Sequence, residues 1–246
     1  MASILCIETS TEVCSVALSE DGTVVALRED RSGKNHALLL TVFIEEVLKE
    51  TGIKSDRLDA VAVSGGPGSY TGLRIGISTA KGLCFAARVP LIAVPSLKIL
   101  AHHVLNKAAE YGLDKNGSML FCPMIDARRM EVYAAVYDGN LELIRDIKAD
   151  IIDHSSFINL LQDHQLVFFG NGADKCRMTI RHPNAIFLEK VSLSAGFMSG
   201  LAEMAFASAG FVDVAYYEPF YLKDFVATIP TKNIFHATTN RQADIS

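Results

Sequence analysis

The chain lacks most of the signals that would mark it as a stand-alone enzyme, a nucleic-acid binder or a secreted protein. No lysine or arginine cluster is denser than Arg128-Arg129, and 28 acidic residues outnumber 23 basic ones, for a formal net charge of -5. A protein that grips nucleic acid alone carries a basic patch or stripe, so any RNA contact here has to be shared with a partner. Cysteine is sparse and unpaired. Cys6, Cys14, Cys84, Cys122 and Cys176 form no C-x-x-C pair, and three of them lie in apolar runs where a thiol acts as a small hydrophobe, the pattern of a reducing compartment. Met1 leads straight into the strand-like ILCIE without a basic leader. No apolar run reaches the roughly 18 residues a membrane span needs, so a soluble, cytoplasmic protein without membrane contact is expected. Enzyme signatures are absent too: there is no H-E-x-x-H, no G-x-S-x-G elbow, no Walker glycine-lysine step and no dinucleotide G-x-G-x-x-G with its acidic residue.

What is present is apolar and ordered. Half of the 246 residues are hydrophobic and 21% are charged, enough for a large core in one large domain or two small ones. Residues 3–8, 13–19 and 23–28 read as strands, the last two joined at Glu20-Asp21-Gly22. Asn35 is placed to cap a helix over 36–49 that Thr51-Gly52 ends. A strand at 59–64, a glycine-rich turn, a helix to Ala87, a strand at 91–94 and the helical LKILAHHVLNKAAEYG follow. After the polar break GLDKNG the same order returns. Strands at 118–125, 131–137 and 141–147, a helix over 153–162, a strand at 166–169, the turn at 170–173, a strand at 185–188 and a helix over 194–209 complete it. Two βββαβαβα lobes predict an α/β protein of the two-lobed actin-like ATPase, or ribonuclease-H-like, architecture. The lobes are expected at 1–111 and 112–225, with helix 194–209 packing back on the first and a mobile tail over 226–246.

The densest signal is SGGPGSYTGLRIG, Ser64 to Gly76, with five glycines and a proline. A strand entering such a turn before a helix leaves N–H groups that suit an anion, and it also suits a tight strand-to-helix connection; both readings stand. In an actin-like cleft the first hairpin of each lobe holds nucleotide phosphates, which makes Glu8, Thr9, Ser10, Gly65, Gly66, Gly68, Ser69, Asp126, Arg128, Gly170 and Gly172 the candidate phosphate set. Glu8 stands where a nucleotide-using relative holds magnesium through water, without further acidic partners in view. His102-His103 are adjacent on a helix, so they point about 100° apart and make no joint metal site. His36 reads as a helix-start or hairpin contact.

The helices carry the clearer message. Between 37 and 48 the apolar positions cover more than the stripe a surface helix buries against its own sheet. In the next helix Gly72, Gly76, Ala80 and Cys84 form a ridge of small side chains beside the bulk of Leu73, Ile77 and Leu83, which admits another helix. A partner interface of His36, Leu39, Leu40, Phe43, Val47, Gly72, Leu73, Gly76, Ile77, Ala80, Leu83 and Cys84 is therefore expected.

ILCIETSTEVCSVAL, the helix opened by Asn35-His36, AVAVSGGPGSYTGLRIGISTAKGL, PLIAVPSL, IDARRMEVYAAVY and YEPFYLKDF together resemble the TsaB family, older name YeaZ, over Ile4 to about Phe225. That family is a paralogue of TsaD within the bacterial machinery that makes threonylcarbamoyladenosine beside the anticodon of tRNAs reading codons that begin with adenosine. The resemblance implies a non-catalytic subunit that pairs with TsaD through a helical bundle, pairs with a second copy when alone, works with the ATPase TsaE and meets tRNA only through the complex. It implies no catalytic residue, no metal and no cofactor beyond weak nucleotide binding. The metal-binding N-H-L-E-x-H segment of TsaD falls here on Pro95-Ser96-Leu97-Lys98-Ile99-Leu100, with both histidines lost, to Ser96 and Leu100. The alternative is a stand-alone ATPase or kinase of the same fold, with Glu8 and Asp126 as its carboxylates; the superfamily's old peptidase label has no motif behind it.

Overall fold

Strand alternation sends every second side chain to a different core, and it does so twice. In the computed structural model, which describes residues 2–33, 35–113 and 118–223, β1 (Ser3–Glu8) turns Ile4 and Cys6 to one side and Leu5 and Ile7 to the other, all fully buried. It is the centre of a five-stranded sheet with β2 (Cys14–Glu20), β3 (Thr23–Asp30), β4 (Ala60–Ser64) and β5 (Leu91–Val94), in the order β3-β2-β1-β4-β5. The first three strands pair antiparallel and the last two join parallel. A second sheet repeats this arrangement: β6 (Met119–Asp126), β7 (Glu131–Tyr137), β8 (Leu143–Ile151), β9 (Gln165–Phe169) and β10 (Ala185–Phe187) lie in the order β10-β9-β6-β7-β8 with the same mix of directions. The chain has the two-lobed actin-like α/β fold.

The outer face of the first sheet is covered by α1 (His36–Thr51) and α2 (Tyr70–Ala87), which bury Leu40, Ile44 and Val47, and Ile77, Ala80 and Cys84, against Leu5, Ile7, Val61 and Val63. Between the sheets lie α3 (Ser96–Asn106) and α5 (Ser199–Ala207), in a core that joins Ile4, Cys6, Ala62 and Ile92 to Phe121, Val167 and Phe169. Each reaches across the repeat: α3 touches β6 and β7, and α5 touches β1, β3 and β5. A third core around Phe168 covers the far side of the second sheet, helped only by the one-turn α4 (Ile158–Leu161) and a short 3-10 turn over Asp174–Cys176.

Several expected boundaries move, each for a local reason. The helix expected over 153–162 is reduced to α4, because the Asp153 carboxylate accepts bonds from Ser155 N, Ser155 Oγ and Ser156 Oγ, and Phe157 turns left-handed at φ 63°. Such local side-chain bonds compete with helix formation. β8 begins at Leu143 rather than 141 because Asp138 accepts from Asn140 N and Glu142 N and Leu141 adopts φ 66°. The helix expected over 194–209 opens as a 3-10 turn, Ala195–Met198, held by Ser194 Oγ on Gly196 N. Asn35 does precede α1, at φ 124°, but its side chain makes no capping bond; its carbonyl takes Leu38 N and Leu39 N instead. Most of the GLDKNG break and the tail over 226–246 lie outside the described residues.

Candidate functional site

The candidate phosphate residues of the first lobe are brought together, and most of their polar atoms bond one another or the chain's own backbone. At the end of β1 the Glu8 Oε1 accepts from Ser10 N and Ser10 Oγ, both at 2.6 Å, and from Ser64 Oγ at 3.0 Å. Its Oε2 is buried without a partner among the described residues. Burial is the larger influence on this carboxyl and pushes it above its usual range, while the bonds from Ser10 and Ser64 pull the other way. Thr9 Oγ1 donates to Gly72 O at 2.8 Å, Ser69 N to Ser10 O at 2.7 Å, and Ser69 Oγ accepts from Gly72 N to start α2. The glycine turn thus closes onto the first hairpin. A Cβ at Gly68 would run into Ser10 O, one at Gly72 into Thr9 O and one at Gly76 into Thr9 Oγ1. The close approach that suggested a phosphate cradle is made by the chain's own backbone.

The second lobe closes in the same way. Gly170, at φ 102°, leaves room for Met124 O, and Gly172 for Ile125 and Asp126 N. Asn171 between them accepts from Asp126 N at 3.0 Å and donates to Glu12 at 2.6 Å, a bond that spans the two lobes. Asp126 pairs with Lys175 and accepts from Arg128 N at 2.9 Å. Arg128 and Arg129 stand exposed at the hairpin tip with positive φ. Sequence reasoning missed Glu12, Asn171 and Lys175; the asparagine between two glycines was the available signal.

No group of three or more His, Cys, Asp or Glu among the described residues could hold a metal ion. His103 stacks on Phe197 with ring centroids 3.4 Å apart and meets the Tyr111 hydroxyl at 3.3 Å, and burial lowers its pKa to about 4. His102 bonds Asn106 at 2.9 Å. His36 Nε2 sits 3.0 Å from Thr11 O and ties the start of α1 to the first hairpin. The five cysteines are all buried and unbonded to one another, and burial raises the thiol of Cys84 to about 11. No helix among the described residues is long and apolar enough to cross a membrane.

The expected partner interface needs correction. Leu40 and Val47 of α1 and Gly72, Leu73, Gly76, Ile77, Ala80 and Cys84 of α2 are buried in the chain's own core. The small-residue ridge faces the first sheet and hairpin, so it admits Thr9, not a foreign helix. His36, Leu39, Phe43 and Leu83 remain half-buried. The surface that is open lies one step round α1, at Leu38 (70% exposed) and Val42 (45%). In the first two turns they join Leu39, Phe43 and the buried stripe in a broad apolar arc, while Glu46, Lys49 and Glu50 occupy the same side of the later turns. On α2, Phe85 is 84% exposed on the side away from the buried stripe.

A family model described as "TsaD: tRNA N6-adenosine threonylcarbamoyltransferase" matches residues 30–231, and the chain belongs to that family. Within it the likeness is to the TsaB, or YeaZ, paralogues. The "tRNA threonylcarbamoyladenosine biosynthesis protein TsaB" of Escherichia coli is 40% identical over 134 residues, 54% of this chain and 54% of that protein. The Bacillus subtilis protein of the same description is 33% identical over 147 residues, 60% of each. The chain therefore spans little more than half the length of the curated relatives it matches. Among solved structures, "YeaZ from Pseudomonas aeruginosa" superposes with a TM-score of 0.77 at 28% identity, covering 90% of this chain and 100% of that one.

Proposed function

We propose that this chain is a non-catalytic subunit that binds a TsaD-type transferase and supports transfer of the threonylcarbamoyl group to N6 of the adenosine beside the anticodon in tRNA. The observation that carries this reading is a contrast within the first lobe. Thr9, Ser10, Ser64 and the Glu8 Oε1 bond one another and the chain's own backbone, leaving Glu8 Oε2 as the buried oxygen without a partner there, whereas α1 keeps Leu38 and Val42 in solvent beside the half-covered Leu39 and Phe43. Apolar side chains concentrated on one helix face fit a helical partner, and the absence of a basic patch leaves tRNA to be held by the assembled complex. The names of the relatives support the pathway. The test is depletion of the protein from cells followed by mass spectrometry of tRNA nucleosides. Threonylcarbamoyladenosine should disappear; its persistence at normal levels would reject the proposal.

A further inference from the structure

After α5 the chain leaves regular structure and crosses the molecule. Val212 N bonds Leu91 O at 2.9 Å in an isolated antiparallel bridge on the open edge of β5. The chain then passes over the glycine turn. A Cβ at Gly65 would collide with the Tyr217 hydroxyl and one at Gly66 would stand 2.7 Å from Phe220 O, and Phe220 N donates to Gly65 O at 2.8 Å. Lys81 of α2 reaches up to Ala215 O at 2.9 Å and Tyr217 O at 3.2 Å. Tyr221 packs on Tyr70 with centroids 4.8 Å apart, and Lys223 pairs with Glu131 at the start of β7, on the other lobe.

We infer that residues 212–223 are a detachable clasp, which lifts from the glycine turn and the flank of α2 as one unit while both sheets stay folded, so that access to the turn is governed by the chain's own C-terminal segment. Two features separate it from ordinary core. Its outer side is open, with Tyr216, Phe220 and Tyr221 84%, 47% and 38% exposed, and it rests on the core of the first sheet only through the half-covered Val212, Val214 and Tyr217 and the separate bonds just named. Segments with few buried contacts open well before the whole protein does. Its seat is also specific, since two consecutive glycines make room for it. The tie to Glu131 is an exposed ion pair and weakens with salt. The clasp concerns this chain alone and stands whether or not a transferase is its partner.

Cys84 reports on it. This thiol is 2% exposed and shares a shallow groove with Phe85, Val89 and Val214, the last a residue of the clasp. In the full-length chain, Lys81→Met keeps the side-chain stem and removes the donor, and Tyr221→Ser removes the ring contact at the surface. In each, iodoacetamide modification of Cys84, read by mass spectrometry, should quicken by about tenfold, together with hydrogen exchange over 64–69. Cys6 and Cys122, inside the sheets, should keep their rates. An unchanged Cys84 in both variants would overturn the clasp, as would cysteines that all quicken together, because opening would then be global.

Discussion

The two halves share a sheet topology and differ in nearly everything packed outside it. Between β3 and β4 the first half inserts the 16-residue α1, and between β4 and β5 the 18-residue α2. At the same places the second half has the four-residue α4 and a three-residue 3-10 turn. Both halves close their glycine turns on their own first hairpin, but among the described residues only the first half has a long outer helix, with Leu38 and Val42 of its first two turns in solvent. The lesson is a division of labour: closure of the turns is common to the repeat and belongs to folding, while the proposed partner surface belongs to the half with the long helices.

That comparison can be broken most forcefully at the turns. Gly72→Ala drives a Cβ into Thr9 O, and Gly170→Ala drives one into Met124 O at a positive φ, so each should cost about 3 kcal/mol of stability in urea unfolding. If only one of them does, the two closures are not equivalent. Next comes Glu8, which has no counterpart buried in the second half, where Asp126 is exposed. Its folded pKa is raised, so the folded form keeps a proton that the unfolded chain releases. The stabilising contribution is full below the ordinary glutamate range and is lost as pH rises through the raised value. Thermal unfolding from about pH 4 to about pH 8 should show Glu8→Gln gaining on the unaltered chain as pH rises; a gap that narrows would contradict the assignment.

A smaller effect is expected where the halves meet. Glu12→Ala should cost about 1 kcal/mol and Asn171→Ala about 2 kcal/mol, since it also removes the acceptor of Asp126 N, and the double variant should cost no more than Asn171→Ala alone, because the two side chains share one bond. Strictly additive losses would mean that the pair does not tie the lobes. Smallest of all, Gly82→Ala on the open side of α2, where nothing lies within 4 Å of the new Cβ, should stabilise by about 0.5–1 kcal/mol. The opposite signs of Gly72→Ala and Gly82→Ala on one helix would locate the sealed face directly.

Much of this was legible in residue order. The hairpin at Glu20-Asp21-Gly22, the apolar runs of the central strands and the recurrence of three strands before a helix lead to two lobes without any contact information. Helix ends and interface faces were not legible, for physical reasons. Asp153 reads as a helix start until its bonds to Ser155 and Ser156 are seen to spend it on a turn. Gly72, Gly76, Ala80 and Cys84 read as a ridge that admits another helix; periodicity shows that something must approach, and only the hairpin's position shows that at Gly72 and Gly76 it is Thr9. Tyr217, Phe220 and Lys81 lie in segments that carry the family resemblance, yet their order does not show that they meet, because a strap held largely through main-chain groups leaves no pattern in side-chain order.

The central claim is that the outer face of α1, rather than the cleft, is where this chain acts. Isothermal titration of the full-length chain with a TsaD-type partner tests it, using Leu38→Glu with Val42→Glu, two exposed positions whose replacement should leave the circular dichroism unchanged. The account expects the double variant to lose at least about a hundredfold in affinity, as loss of an apolar anchor does. Binding equal to that of the unaltered chain would contradict it.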